Sequence, residues 1–244
     1  MSTENSKAAV ILARCAILGP ATAVFRIMED FTILRTLPVH VDILLLGNRF
    51  KHFKRPVKKI FDLTKAGNLF SLRRGHYLNL ISDNYRTVSL ECLANELFGP
   101  SYVSLEWALQ YYGLIPERVQ KVTSVTTRPD WSVETPIGTF SYEHLNKNRY
   151  PYGYSVTAES NGEFFIASPA KAILDLISVR MSSVKWEKDF NREEFLREDL
   201  RLDLDRFIEM TSRDLLLELS TAYHRNSKEA RLLSWLLRYM ENRL

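Results

Sequence analysis

Cysteine is scarce in this sequence, and its glycines and histidines are too thinly spread to form a familiar chemical motif. The two cysteines, Cys15 and Cys92, lie in apolar stretches without a CxxC pair, so neither a disulfide framework nor a zinc site is expected. The nine glycines are isolated, which argues against a phosphate-binding P-loop and a dinucleotide-binding motif. We therefore expect no cofactor and no bound metal.

Long apolar runs are also missing. No stretch of about twenty consecutive apolar residues occurs, so a transmembrane helix is not expected. Arg14 interrupts the apolar segment 8–18, and Glu4 precedes it, so this segment does not fit a signal peptide. A cytoplasmic location is the simplest expectation for a chain of this composition.

No set of residues suited to catalysis is evident. The five histidines are scattered without the i, i+4 pairing of a helical metal site, and neither cysteine has an activating base nearby. The acids of 193–205 alternate with arginines, which is the pattern of surface ion pairs. Lys171 follows a Ser168-Pro169 helix start and is predicted to be an exposed first-turn residue. We therefore expect a protein that is not an enzyme, with no catalytic residues.

Positive charge is abundant in one short stretch. Residues 49–76 contain nine lysines and arginines against one acid, a local net charge of +8. The remaining chain has 24 basic and 28 acidic residues, a net charge of −4. A phosphate backbone is the commonest reason for such a patch. The nine basic residues are Arg49, Lys51, Lys54, Arg55, Lys58, Lys59, Lys65, Arg73 and Arg74.

A helix is predicted within this basic stretch. It begins at Arg55-Pro56, because proline suits the first helical position, and it stops at Gly67. A rotation of about 100° per residue divides the helix into two faces. The face expected to pack carries Val57, Ile60, Phe61 and Thr64, and the opposite, cationic face carries Arg55, Lys58, Lys59 and Asp62.

A basic hairpin is predicted directly after the helix. Residues 69–72 and 76–80 can form two short strands around Arg73-Arg74-Gly75, where Gly75 can take the positive φ of a tight turn. Residues 41–46 are predicted as a short scaffold helix and 47–53 as the turn that follows it. This order is typical of a winged helix-turn-helix, with one helix in the major groove and the wing tip on flanking phosphates. The predicted DNA-binding residues are Lys54, Arg55, Lys58, Lys59, Lys65, Arg73, Arg74 and His76.

Three other interpretations of the basic stretch stay open. It can bind RNA, in which case RNA should outcompete duplex promoter DNA. It can belong to a nucleic-acid-processing enzyme whose chemistry lies in the later sheet. It can also be a solvated charged helix beside an ordinary hairpin, but the coincidence of helix, glycine stop and basic hairpin favours DNA binding.

The whole chain is predicted to be α+β, with an N-terminal winged helix-turn-helix domain at 1–84 and a second domain at 85–244. Helices are expected at 8–18 and 21–37. The second domain is predicted to hold a small, mostly antiparallel sheet, with Asn161-Gly162 as its clearest hairpin turn, followed by C-terminal helices. One helical face is expected to run through Leu196, Leu200, Leu204, Phe207, Thr211 and Leu215.

The order of these segments resembles the AbiEi family of antitoxins from type IV toxin–antitoxin systems. The similarity covers about half the chain, from Val41 to Ile177. It is carried by KAGNLFSLRRGHYLNL, YVSLEWALQYYGLIPE, VTSVTTRP, TPIGTFSYEHL and FFIASPAKAILDLI.

The resemblance implies a winged helix that represses its own operon by binding inverted repeats in promoter DNA. It implies a recognition helix at 55–66 and a wing at 69–80. It also implies a C-terminal domain that counters a nucleotidyltransferase toxin encoded beside it, with direct contact left open. The chain is expected to act as a monomer or weak dimer, away from membranes.

Overall fold

The computed structural model describes residues 20–181, 186 and 190–242, with side chains from residue 28 onward. The chain is mixed α+β and divides into two compact units, Met1–Val88 and Ser89–Leu244. The helix expected at 8–18, and Cys15 within it, lie outside the described residues. Among the residues that are described, no helix combines the length and apolarity needed to cross a membrane.

The N-terminal unit combines helices with a three-stranded antiparallel sheet of order β1-β3-β2. Its core is formed by apolar residues from every element, among them Leu34, Leu46, Phe50, Ile60 and Leu69. In chain order the elements are α1 (Pro20–Arg35), β1 (His40–Asp42), α2 (Ile43–Arg49), α3 (Pro56–Lys65), β2 (Leu69–Arg73) and β3 (His76–Asn79).

The apolar segment predicted as a scaffold helix is divided between a strand and a helix. Val41 pairs with Tyr77 in the sheet, and α2 begins only after Asp42. The Asp42 carboxylate caps this helix by accepting from the Leu45 N–H at 2.7 Å. The prediction therefore placed the helix about two residues too early, and the helix continues to Arg49, within the segment predicted as turn.

A buried asparagine connects the end of α1 to the sheet. Asn79 is fully buried, and its side-chain amide donates to the Leu34 carbonyl at 2.7 Å and to the Pro38 carbonyl at 3.3 Å. Its side-chain oxygen accepts from the Ile81 N–H at 3.2 Å. The Leu34 carbonyl also accepts from the Leu37 N–H at 3.1 Å, so Asn79 gives it a second donor and bonds the segment after α1 to β3.

The C-terminal unit is built on a six-stranded sheet of order β6-β7-β5-β4-β9-β8. The pairs β5–β7 and β4–β9 are parallel and the other three are antiparallel, so the sheet is more mixed than predicted. Its strands are β4 (Ser101–Val103), β5 (Lys121–Thr126), β6 (Trp131–Thr135), β7 (Gly138–His144), β8 (Tyr154–Glu159) and β9 (Gly162–Ala167).

Along the chain, helices come before the first strand of this sheet, between β4 and β5, and after β9. The predicted Ser168 cap is present, since its hydroxyl accepts from the Lys171 N–H at 3.3 Å. The helices are α4 (Leu90–Leu97), α5 (Leu105–Tyr111), α6 (Pro169–Arg180), α7 (Arg192–Glu194, continued by a π-helical turn Phe195–Asp199), α8 (Leu204–Glu209), α9 (Arg213–Thr221) and α10 (Lys228–Glu241).

The long helical face predicted after residue 195 is broken into separate elements. Arg201 has a positive φ of 49°, and Asp203 then caps α8 by accepting from the Arg206 N–H. Ser212 caps α9 in the same way, by accepting from the Leu215 N–H. A serine or aspartate stands at the N-terminus of each new helix. Its side chain accepts from an N–H group of the first turn, which favours the start of a new helix over continuation of the preceding one.

Candidate nucleic-acid interface

The helix α3 starts and stops where the sequence predicts. Arg55 is its N-terminal flanking residue, Pro56 its first residue, and Ala66 follows its last turn. Gly67 has φ +74°, a conformation that costs little only for glycine, and this turns the chain toward β2. The Asn68 N–H then bonds the Leu63 carbonyl at 3.0 Å and closes the helix end.

The faces of α3 differ from the predicted ones. Ile60 and Leu63 are buried, whereas Val57 is 68% exposed and Phe61 is 56% exposed. The helix is therefore rotated about its axis relative to the prediction, and two of the residues expected to pack lie on the open face. The sequence pattern did not separate the two arrangements, because apolar residues occur on both faces.

Four of the predicted DNA-binding residues are exposed on or just before α3: Lys54, Arg55, Lys58 and Lys65. The Lys65 ammonium lies 4.7 Å from the centre of the Phe61 ring, so a cation and an aromatic ring share this face. We call the exposed side chains of Lys54, Val57, Lys58, Phe61 and Lys65 the α3 open face.

Lys59 does not belong to the α3 open face, which corrects the prediction that it faces DNA. Its side chain is only 10% exposed, and its ammonium bonds the carboxylate of Asp30, which is 3% exposed. The ammonium also lies 4.8 Å from the centre of the Phe53 ring. Lys59 therefore joins α3 to α1 within the unit, and its charge is neutralised there.

The predicted basic hairpin is present and ends in a two-residue turn. Arg73 pairs with His76 across it, and Arg74 and Gly75 form the tip. Gly75 has φ +81°, and its carbonyl accepts from the Ile43 N–H at 2.8 Å. Arg74 is exposed, whereas Arg73 and His76 are half-buried. The tip is therefore bonded to the start of α2, with Arg74 as its most open cation.

His76 has a close partner that the sequence analysis did not foresee. Its ring stacks on His40, with centroids 5.4 Å apart and an interplanar angle of 9°. His40 Nε2 and His76 Nδ1 are 3.2 Å apart, within hydrogen-bond distance. Burial, and then the nearby His76 and Arg73, lower the pKa of His40 to about 4. Burial and Arg73 also lower the pKa of His76. Neither ring is expected to add positive charge near pH 7.

A buried polar cluster in the C-terminal unit overturns the prediction that Lys171 is exposed. Lys171 and Asp175 are both fully buried, and their charged groups are 2.7 Å apart. The Lys171 ammonium also donates to the Arg149 carbonyl at 2.8 Å. Desolvation raises the pKa of Asp175, and Lys171 opposes the rise. Helix spacing could have suggested the pair, since the residues are four apart, but not its burial.

Hydroxyl groups complete this cluster. The Asp175 carboxylate accepts from the Tyr102 hydroxyl at 3.0 Å and from the Ser104 hydroxyl at 2.8 Å. Tyr102 lies on β4 and Ser104 lies between β4 and α5, so the cluster connects α6 to the centre of the sheet. Lys171 and Asp175 are both closed to solvent, and their bonds join packed elements of the unit.

The other residues considered for chemistry form no converging set. Cys92 is a half-buried free thiol whose pKa is raised by burial, opposite to the shift that activates a nucleophile. Arg197 pairs with Glu193 at 3.1 Å, four residues away, as expected for surface ion pairs. Within the described part of the chain, no group of three histidine, cysteine or acidic residues could hold a metal ion.

No known family profile matches the chain, and no curated protein matches it significantly. The expected membership of the AbiEi antitoxins therefore stays a prediction. What the N-terminal unit binds has to be inferred from its own geometry, exposure and charge.

Proposed function

We propose that the N-terminal unit is a winged helix-turn-helix that binds duplex DNA, with α3 as its recognition helix. The observation that carries this proposal is the α3 open face, where exposed Lys58 and Lys65 share the helix with two exposed apolar side chains and exposed Lys54 directly precedes it. The order α1-β1-α2-α3-β2-β3, with a basic hairpin after the helix, agrees with this class of domain.

Each part of the unit then has a distinct task on DNA. Lys58, exposed in the first turn of α3, meets base edges in the major groove, where lysine binds the acceptors of guanine. Lys54, Arg55 and Arg74 meet phosphates, which fix the register of the domain without reading sequence. Lys59 lies on the side of α3 that packs against α1, where it bonds Asp30, and it does not touch DNA.

We further propose that the chain is a type IV antitoxin, acting in the cytoplasm. It represses its own operon through inverted repeats in the promoter and counters a nucleotidyltransferase toxin through its C-terminal unit. This part of the proposal is supported by the resemblance of the segments between Val41 and Ile177 to the AbiEi family. Its test is the reading frame beside the gene: expression of a nucleotidyltransferase from it should arrest growth, and this chain should relieve the arrest.

DNA binding is tested with the fragment immediately upstream of the reading frame, against an unrelated duplex of equal length. Wild-type protein should prefer the upstream fragment, and Lys58→Ala should weaken that binding about ten-fold, as expected for loss of one base contact. Arg225→Ala is the matched control, because it removes an equal charge from an exposed position in the C-terminal unit.

Two results would overturn the proposal. One is equal affinity of wild-type protein for the two duplexes. The other is an effect of Lys58→Ala no larger than that of Arg225→Ala, which would mean that α3 does not lie at the DNA surface.

A further inference from the structure

We infer that Val57 and Phe61 recognise thymine methyl groups in the major groove, so that the proposed DNA site contains thymines opposite the middle of α3. This inference rests on the proposed DNA-binding function and adds what that site reads. Its starting observation is the exposure of two large apolar side chains on a helix that already buries Ile60 and Leu63.

The two residues form one continuous apolar strip. They are four positions apart on α3, so their side chains lie one above the other on the same face. Val57 is 68% exposed and Phe61 is 56% exposed, although Lys65 lies over the Phe61 ring. A contiguous exposed apolar pair is more informative than an isolated one, because it marks a surface that another molecule covers.

The positive charge near Val57 and Phe61 indicates which kind of molecule covers them. Lys58 and Lys65 are exposed on α3 near these two residues, and Lys54 is exposed just before the helix, so a molecule that covers Val57 and Phe61 comes close to positive charge. The partner must therefore be anionic at its edges and apolar at a few points between them. Duplex DNA meets both conditions, with phosphates along the groove and thymine methyl groups on its floor.

RNA fits the strip less well. The major groove of an A-form helix is deep and too narrow for side chains to read. Uracil also lacks the methyl group, so an RNA helix offers no apolar group at this point. Phenylalanine and other apolar side chains contact the thymine methyl in the B-DNA major groove, which is wide enough to admit a helix.

The test removes the methyl groups and leaves the base pairing unchanged. The upstream fragment is amplified once with thymidine triphosphate and once with deoxyuridine triphosphate, and the affinity of the full chain for each product is measured. Wild-type protein should bind the uracil fragment about ten-fold more weakly, as expected when two buried methyl contacts are lost.

The variant Phe61→Ala separates direct contact from altered DNA shape. It should bind the thymine fragment more weakly than wild type, and it should discriminate less between the two fragments, because a contact to a methyl group is already missing. Phe165→Ala is the matched control, since Phe165 is 45% exposed in the C-terminal unit, and it should keep the full discrimination. Thermal unfolding of both variants verifies that they fold.

The possible results are distinct. If wild type binds both fragments equally and in preference to unrelated DNA, the thymine inference is wrong and DNA binding stands. If Phe61→Ala discriminates as strongly as wild type, the uracil effect comes from DNA shape and the inference is also wrong. If the upstream fragment is bound no better than unrelated DNA, or an RNA copy competes more strongly, both the inference and the proposed function fail.

Discussion

Two neighbouring lysines on α3 have opposite environments, although the sequence pattern predicts a DNA-facing position for both. Lys58 is exposed, and Lys59 is a half-buried residue whose side chain is bonded to buried Asp30. Removing one member of a buried ion pair leaves the other charge without compensation, whereas an exposed lysine carries little folding energy. Lys58 is therefore expected to matter for binding and Lys59 for stability.

The variant Lys59→Met should lower the free energy of unfolding by about 3 kcal/mol, because Asp30 stays buried and loses its bond to the Lys59 ammonium. Lys58→Met should change it by less than about 0.5 kcal/mol. The double variant Lys59→Met with Asp30→Leu should be less destabilised than Lys59→Met alone. Urea unfolding followed by far-ultraviolet circular dichroism measures all three, and equal stability of the two single variants would contradict the assigned ion pair.

The His40–His76 pair predicts how stability depends on pH. The pKa of His40 in the folded protein is lowered from 6.5 to about 4, so between these values the unfolded chain binds the proton and the folded chain does not. Stability present at neutral pH is therefore lost as the pH falls, by about 2 kcal/mol from pH 7 to pH 5 for this one group.

The variant His40→Gln should remove most of that loss. The measurement is the urea midpoint at pH 7 and at pH 5, followed by circular dichroism. Tryptophan fluorescence serves as the internal control, because all four tryptophans lie in the C-terminal unit. An equal drop for wild type and His40→Gln would contradict the cause assigned to the shift.

At the scale of elements, alanine substitutions at Gly47 in α2 and at Gly67 just after α3 should change the free energy of unfolding in opposite directions. Gly67 has φ +74°, so Gly67→Ala should cost about 1 kcal/mol from backbone strain alone, since a Cβ there meets nothing within 4 Å. Gly47 lies in α2 with open space around it, so Gly47→Ala should stabilise by about 0.5 kcal/mol through helix propensity. Changes of the same sign would contradict the assigned backbone conformations.

The boundaries of several elements could be predicted because local signals fix them. Pro56 and Gly67 enclose α3, Gly75 allows the hairpin turn, and Ser168 caps α6. Each signal acts through the residue's own backbone or through an N–H within the next turn. Such signals do not depend on which other segment packs nearby, so the sequence alone contains them.

The orientation of α3 could not be predicted, because it depends on partners distant in sequence. Ile60 and Phe61 are both apolar, and which one is buried depends on where α1 and β2 lie. Asp30, whose carboxylate binds the Lys59 ammonium, is 29 residues from Lys59 in the sequence. The prediction therefore located the exposed basic residues of α3 and of the hairpin tip, but not the full set of exposed side chains: Lys59 lies outside that set, and Val57 and Phe61 belong to it.

The same limit applies to Lys171. Its place in the first turn of α6 was predicted, but not the packing that encloses the helix. Nine of the twelve residues of α6 are buried, so a first-turn lysine has no route to solvent. Only the fold supplies the partners that make its charge tolerable there: Asp175 and the Arg149 carbonyl.

At the scale of the whole molecule, the positive charge is concentrated in one unit. Residues 49–76 carry a net charge of +8, against −4 for the rest of the chain. Lys54 and Arg74 are exposed members of this stretch, one just before α3 and one at the hairpin tip. We propose that such residues contact phosphates when the unit binds DNA.

The salt dependence of binding tests this claim most directly. The affinity of the full chain for the upstream fragment is measured over a series of salt concentrations, for wild type and for the double variant Lys54→Ala with Arg74→Ala. Loss of two phosphate contacts should reduce the slope of log affinity against log salt by about 2. Parallel lines for the two proteins would contradict the account, because they would mean that neither residue displaces counterions from DNA.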